Sequence, residues 1–201
     1  MKISKLMYLF AITLITLSSM ACSQENKAAD NNKNVAQTQT TSPESGVYTI
    51  SSIINTGDKE PIDFTWVENG KEMKFSDFVK GKVTFINFWG TWCPPCRAEI
   101  PGLIALNKKY KDKGFQIVGI PLERDMNNQM TTVSNYVQAA GINYRNFPSR
   151  PYSEEFGKKF GQIQYVPTTF VIGPDGKVVD QLVGGKSEQD FENVITKYIK
   201  N

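Results

Sequence analysis

The stretch that most constrains this chain runs from Lys82 to Glu99. Residues Lys82 to Trp89 are almost wholly apolar, and the run stops at Gly90-Thr91 directly ahead of Cys93-Pro94-Pro95-Cys96. A short apolar run rich in Val, Ile, Phe and Trp reads as a strand covered on both faces. From Ala98 to Tyr110 the apolar spacing becomes helical. Two thiols therefore sit where a buried strand hands over to a helix. There the unpaired backbone N–H groups and the positive end of the helix dipole favour a thiolate over a thiol. Cys93, at or near the N-cap, is expected to be the exposed, acidified nucleophile. Cys96 lies on the same face one turn further in, placed to attack a mixed disulfide at Cys93 and release the substrate. Pro94 and Pro95 suit the first turn, where a missing N–H costs little and a fixed φ pre-forms the helix.

Other uses of two cysteines fit less well. A structural zinc site needs four ligands, whereas the chain has no His and its other cysteine, Cys22, lies far upstream. A purely structural disulfide across so small a ring would remove little chain entropy. A two-thiolate site for Cu(I) stays open as the rival reading, since soft sulfur selects that ion. No metal is expected, and no cofactor beyond a redox-active Cys93–Cys96 disulfide.

Upstream, Lys2 and Lys5 precede an apolar run from Leu6 to Leu17 and the small residues Ser18 to Ala21. This pattern reads as a secretory signal peptide over residues 1–21. Residues 22–46 are rich in Asn, Gln, Thr, Ser and Ala and are expected to form a disordered tether. The folded domain is expected over 47–201. A net charge of +3 with scattered Lys pairs gives no basic patch for nucleic acid.

Within the domain, Val47–Ile54 reads as a first strand. Ile62–Val67 and Lys71–Phe75 read as a hairpin turning at Asn69-Gly70. Ser76-Asp77 reads as the cap of a helical turn ending at Gly81. The active-site helix is expected over Ala98–Lys113, kinked at Pro101 and stopped by Gly114. A strand over Phe115–Pro121 and an amphipathic helix over Met126–Ala140 complete a βαβ unit. Glu154–Phe160 reads as a short helix, Thr168–Ile172 and Lys177–Val183 as a hairpin, and Ser187–Ile199 as a closing helix capped by Ser187.

Two blocks, Asn87 to Pro101 and Val166 to Val178, closely resemble the TlpA/ResA-type thiol–disulfide oxidoreductases, membrane-tethered thioredoxin-like proteins of bacteria. The likeness covers about Lys59 to the C-terminus. It implies an α/β thioredoxin fold: a central mixed β-sheet with helices on both faces and an N-terminal β-hairpin extension. It implies that Pro167 is a cis-proline facing the cysteines, keeping metal away and leaving the Val166 backbone free to pair with an extended substrate. Glu99 matches an acid thought to handle protons near the thiols, the plainer reading being a surface carboxylate. Glu123 matches another acid more weakly. Asn87 stands where many thioredoxins carry a buried acid, so it is not read as a proton carrier, and Trp92 is expected to pack over Cys93.

From Gly141 to Tyr165 the chain departs from these relatives. Tyr144, Arg145 and Ser149-Arg150-Pro151-Tyr152 replace an apolar strand and read as an exposed loop suited to recognition, or as a solvated variable loop. Cys22, after Ala21, resembles the lipidated cysteine of a bacterial lipobox. The function implied is reduction of protein disulfides on the extracytoplasmic side of a bacterial cell envelope. The implied substrates are disulfide-bearing exported proteins, apocytochrome c among them, with a membrane electron donor protein re-reducing the pair. A dithiol oxidase or isomerase remains open, because direction depends on the reduction potential.

Overall fold

Strand β5 (Val83–Trp89) is buried along its whole length and sets the architecture. The structure is a computed structural model and describes residues 45–54, 62–149, 152–160 and 163–199. The expected signal peptide, most of the tether and Cys22 lie outside these residues. Among the described residues no helix is long and apolar enough to cross a membrane.

The strands of the domain are β1 (Gly46–Val47), β2 (Ile50–Ile54), β3 (Asp63–Glu68), β4 (Lys71–Lys74), β5, β6 (Phe115–Pro121), β7 (Arg145–Asn146), β8 (Thr168–Ile172) and β9 (Val178–Val183). The helices are α1 (Phe75–Val79), α2 (Pro94–Tyr110), α3 (Gln129–Ala140), α4 (Ser153–Phe160) and α5 (Glu188–Tyr198). A six-stranded sheet runs in the order β1-β7-β6-β5-β8-β9. Strand β5 pairs parallel to β6 and antiparallel to β8, which makes the sheet mixed.

Alternation along β5 divides the core in two. Phe85 and Trp89 face a cluster with Ile100, Leu103 and Leu106 of α2, Val133 of α3, and Phe191 and Ile195 of α5. Ile86 and Phe88 face the opposite cluster, with Phe75 and Val79 of α1, Phe156 and Phe160 of α4, and Phe64 and Trp66 of β3. Both faces of the sheet are thus covered by helices. The second face also carries a separate antiparallel sheet, β2-β3-β4. Its β3–β4 hairpin turns at Asn69 and Gly70 with φ of 53° and 75°, backbone angles that Asn and Gly tolerate best.

Several boundaries differ from the sequence reading. Val47–Ile54 is not one strand: β1 joins the large sheet beside β7, and β2 joins the small one. Ser76 does not cap α1, because it lies inside that helix; its amide N–H donates to the Asp63 carboxylate at 2.9 Å. Helix α2 begins at Pro94 rather than Ala98 and runs through Pro101, then tightens into a 3₁₀ turn over 111–113 that ends at Gly114. The expected turn of helix around Met126 is absent: α3 starts at Gln129, and Met126 is exposed.

The largest correction concerns Tyr144 and Arg145. Both were expected in an exposed loop, and both go inside. Arg145 opens the short strand β7 beside β6, and Tyr144 and Phe147 are fully buried. The Arg145 guanidinium lies 4.7 Å from the centre of the Phe78 ring and donates through Nε and Nη2 to the two oxygens of Glu68, each at 3.0 Å. A guanidinium covered over most of its surface is tolerable when a carboxylate meets its fork in this way. Residues 150 and 151 lie outside the described residues.

Candidate active site

Four backbone pieces converge on the first turn of α2. Cys93 is its N-cap, with extended dihedrals of −97° and 108°, and Pro94 and Pro95 occupy the first positions of the helix. The Cys96 amide donates to Cys93 Sγ at 3.3 Å, and the Arg97 amide to the Cys93 carbonyl at 3.1 Å. The first sulfur thus takes the place of a capping oxygen, as helix-end chemistry requires of a stabilised thiolate. The two cysteines are joined in a disulfide with S–S 2.06 Å.

The loop before the helix is pinned from β6. Glu123 accepts from the Thr91 amide and from the Thr91 hydroxyl, each at 2.8 Å. Trp92 Nε1 donates to the Leu122 carbonyl at 3.0 Å. The indole lies against Gly90, where a Cβ would stand 2.6 Å from Nε1, so only glycine leaves room for it. Trp92 is therefore anchored on Gly90 and Leu122 and keeps about a third of its surface exposed.

Opposite the cysteines, the Val166–Pro167 peptide bond is cis. The Val166 carbonyl oxygen lies 3.6 Å from Cys93 Sγ. The neighbouring backbone is held by Thr168 Oγ1 donating to the Tyr165 carbonyl and by the Gly184 amide donating to the Pro167 carbonyl. Cys93 was expected to be exposed, yet only 2 % of its surface is, and Cys96 is fully covered. With the disulfide closed, Cys93 Sγ is tucked between the Cys96 amide and the Val166 carbonyl.

Glu99, one turn beyond Cys96, is no surface carboxylate. It is 5 % exposed. Asn87 Nδ2 donates to Oε1 at 2.9 Å, and the Lys186 amide donates to Oε2 at 3.3 Å. Burial pushes its carboxyl up to about 7, against the pull of those two hydrogen bonds and of the Lys186 charge. Asn87 Nδ2 also donates to Thr169 Oγ1 at 2.9 Å, while Asn87 Oδ1 has no partner among the described residues. The site thus holds a disulfide, a carboxyl poised near neutrality, and a backbone edge beside the first sulfur.

All of Trp92, Cys93, Pro94, Pro95, Cys96, Glu99, Val166 and Pro167 meet around this point. Sequence reading missed Thr169, the Lys186 amide and Arg124, whose guanidinium stacks on Trp92. Thr169 stood in the Val166–Val178 block and was open to inspection; Arg124 and Lys186 carried no signal. Among the described residues no cluster of His, Cys, Asp and Glu suits a metal ion.

Comparison with known proteins agrees with this geometry. The Redoxin family pattern matches residues 55–195. The chain is 33 % identical over 153 residues to the thiol-disulfide oxidoreductase ResA of Bacillus thuringiensis subsp. konkukian, covering 76 % of this chain and 83 % of that one. To ResA of Bacillus subtilis it is 35 % identical over 130 residues, 63 % of this chain and 68 % of the other. Among solved structures, a thioredoxin family thiol:disulfide interchange protein from Chlorobium tepidum superposes with TM-score 0.59 at 35 % identity, covering 70 % of this chain and 95 % of that one. With a closed Cys93–Cys96 pair at a helix N-cap and a match running over residues 55–195, the chain belongs to the Redoxin family, as a thiol–disulfide oxidoreductase of the ResA type.

Proposed function

We propose that the protein reduces disulfides of exported proteins, apocytochrome c among them, from a membrane-anchored position on the extracytoplasmic side of the bacterial cell envelope. The observation that carries the reading is the pairing of Cys93 Sγ at the N-cap of α2 with a buried carboxyl three residues past Cys96.

In the reducing direction the dithiol supplies two electrons. The Cys93 thiolate, steadied by the Cys96 amide, attacks one sulfur of the substrate disulfide. The substrate S–S bond breaks, a mixed disulfide forms, and the departing substrate thiolate takes a proton from water. Cys96 then gives its proton to the ionised Glu99 and attacks Cys93 Sγ. The second substrate thiolate leaves, and the Cys93–Cys96 disulfide remains. A carboxyl titrating near 7 suits that transfer at neutral pH. Asn87, an amide, orients Glu99 without carrying its proton. Pro94 and Pro95 keep the first turn formed, and the Val166 backbone pairs with an extended substrate segment once it has displaced the 3.6 Å contact over Cys93. A reduced membrane protein thiol pair reverses the sequence and resets the dithiol. No other cofactor takes part.

Reduction of insulin disulfides tests the reading. Wild type is expected to turn over, Cys93→Ser to lose all activity, and Cys96→Ser to accumulate a covalent mixed disulfide. A protein that reduces no disulfide yet retains Cu(I) tightly would belong to the rival two-thiolate class. A reduction potential more negative than about −230 mV supports the reducing direction, whereas one near about −120 mV would make the protein an oxidant. Intact-mass measurement of the exported protein tests the anchor: lipid on Cys22 supports it, and an unmodified Cys22 removes it.

A further inference from the structure

The surface around Cys93 carries cations that the redox steps do not use. The guanidinium carbon of Arg124 lies 4.1 Å from the centre of the Trp92 ring. Arg97, in the first turn of α2, donates through Nη1 to the Thr91 carbonyl at 3.1 Å. Both arginines are exposed, and among the described residues neither forms an ion pair with a carboxylate. The acids nearest to them in sequence are engaged. Both oxygens of Glu123 accept from Thr91, and Asp125 accepts from Asn127 and Asn128. Glu99, two residues past Arg97, is buried and accepts from Asn87 and the Lys186 amide. Trp92 precedes the reacting cysteine, and its indole is fixed by the bond to Leu122. On the Val166 side Tyr165 is 67 % exposed, the most exposed large apolar or aromatic side chain described. On the third side Lys186 sends Nζ to the Val183 carbonyl and lies near the Asp190 charge, so its contribution is smaller.

An arginine stacked on an indole is already oriented, and its planar fork presents paired N–H donors to an oxyanion at little further entropic cost. Arg124, oriented by Trp92, and Arg97, oriented by the Thr91 carbonyl, stand beside the attacking sulfur with aromatic side chains on either side of it. Together they fit an extended polypeptide bearing a carboxylate close to its cysteine. We propose that Arg97, Arg124 and Trp92 form a recognition platform selecting protein disulfides whose cysteine is flanked by Asp or Glu. This rests on the dithiol reading of the previous section and names the substrate class within it. The carboxylate meets the arginine forks, and the segment runs between Trp92 and Tyr165 along the Val166 backbone.

The test uses the reduced wild-type protein and three matched peptides. Each carries one Cys in mixed disulfide with 2-mercaptoethanol, flanked by Glu, Gln or Lys. Attack of the Cys93 thiolate on the peptide sulfur releases 2-mercaptoethanol, and its rate is followed by stopped flow. Glu-flanked peptide is expected to react about tenfold faster than Lys-flanked peptide at low ionic strength, with Gln between them. The spread collapses at about 0.5 M salt, where the Debye length falls to a few ångströms. In the double variant Arg97→Gln, Arg124→Gln the Glu-to-Gln rate ratio falls towards one. Equal rates for all three peptides, a preference for Lys, or a spread that survives the double substitution overturns the platform and leaves the dithiol reading standing. Failure of wild type to attack even the neutral Gln peptide overturns the dithiol reading, and this one with it.

Discussion

Two buried carboxylates, Glu68 and Glu99, lie in opposite parts of this molecule and have opposite fates. Glu68 ends β3, where the small sheet meets the large one, and Glu99 lies behind the disulfide. Each is all but hidden, 7 % and 5 % exposed. Burial by itself would raise the Glu68 carboxyl, but the hydrogen bonds from Arg145, Trp66 and Tyr48 together hold it below its ordinary value. Glu99 receives only neutral amides, from Asn87 and Lys186, and burial pushes it up to about 7. The partner's charge decides the outcome: a guanidinium turns a buried acid into a structural anion, while amides leave it able to exchange a proton.

The two acids therefore act on stability at opposite ends of the pH scale. Glu68, depressed, contributes stability that is present above its unfolded value near 4.5 and lost as pH falls through its folded value. Glu99, raised, contributes stability that is complete below about 4.5 and lost as pH climbs through about 7.

Removing the charge partner should break this contrast most severely. Arg145→Met leaves the Glu68 carboxylate buried with no cation and is expected to cost about 3–5 kcal/mol in denaturant unfolding at pH 7. The Cys93–Cys96 reduction potential should not move. A loss below about 1 kcal/mol would mean that solvent reaches Glu68 and the two sites differ less than the geometry says. Next in size is Glu99→Gln. Holding Glu99 ionised costs on the order of 3 kcal/mol, from a displacement of the ordinary 4.5 up to about 7. The oxidised variant should accordingly gain stability over wild type above pH 8 and gain none at pH 4. The inflection near pH 7 in the rate of disulfide reduction should vanish with it. A wild-type unfolding free energy that is flat between pH 5 and 9 would contradict this assignment.

Smaller effects sharpen the contrast. Tyr48 hydroxyl donates to Glu68 Oε1 at 2.9 Å, and its own ionisation is pushed up to about 12, chiefly by burial. Tyr48→Phe should cost about 1.5–3 kcal/mol, the range for a hydrogen bond to a charged group. That loss should shrink as pH falls through the folded value of Glu68, where protonation neutralises the carboxylate. Smallest is Asn87→Ala, which removes the amide donor to Glu99. Its inflection should move up by about one pH unit, equivalent to one net hydrogen bond, with the Cys93 and Cys96 roles intact. An unmoved inflection would show that Asn87 does not set the titration of Glu99.

Much of this was legible along the chain. The apolar run ending at Trp89 announced a strand covered on both faces, and the Cys93–Cys96 spacing at the following helix announced a redox pair. Asn69-Gly70 announced the hairpin, and Ser187 the cap of α5, completed by its reciprocal bond with Asp190. These are local rules, in which a few consecutive residues state their own geometry. Glu99 was singled out by resemblance, with a surface carboxylate as the plainer alternative, and only its burial decides between the two. Tyr144 and Arg145, by contrast, misled outright. An Arg reads as exposed unless its counter-ion is known, and Glu68 lies 77 residues upstream.

The exposure expected for Cys93 failed for a related reason. Helix position fixes how a thiolate is stabilised, but the cover over the sulfur comes from Val166, 73 residues away. Sequence by itself determined where the sulfur pair stands and which backbone donors face it, because both follow from neighbours within one turn of helix. Only the tertiary structure decided which charged groups are wet and which are dry. That depends on long-range pairing between strands, and it makes one buried carboxylate a fixed anion and the other a group able to trade its proton.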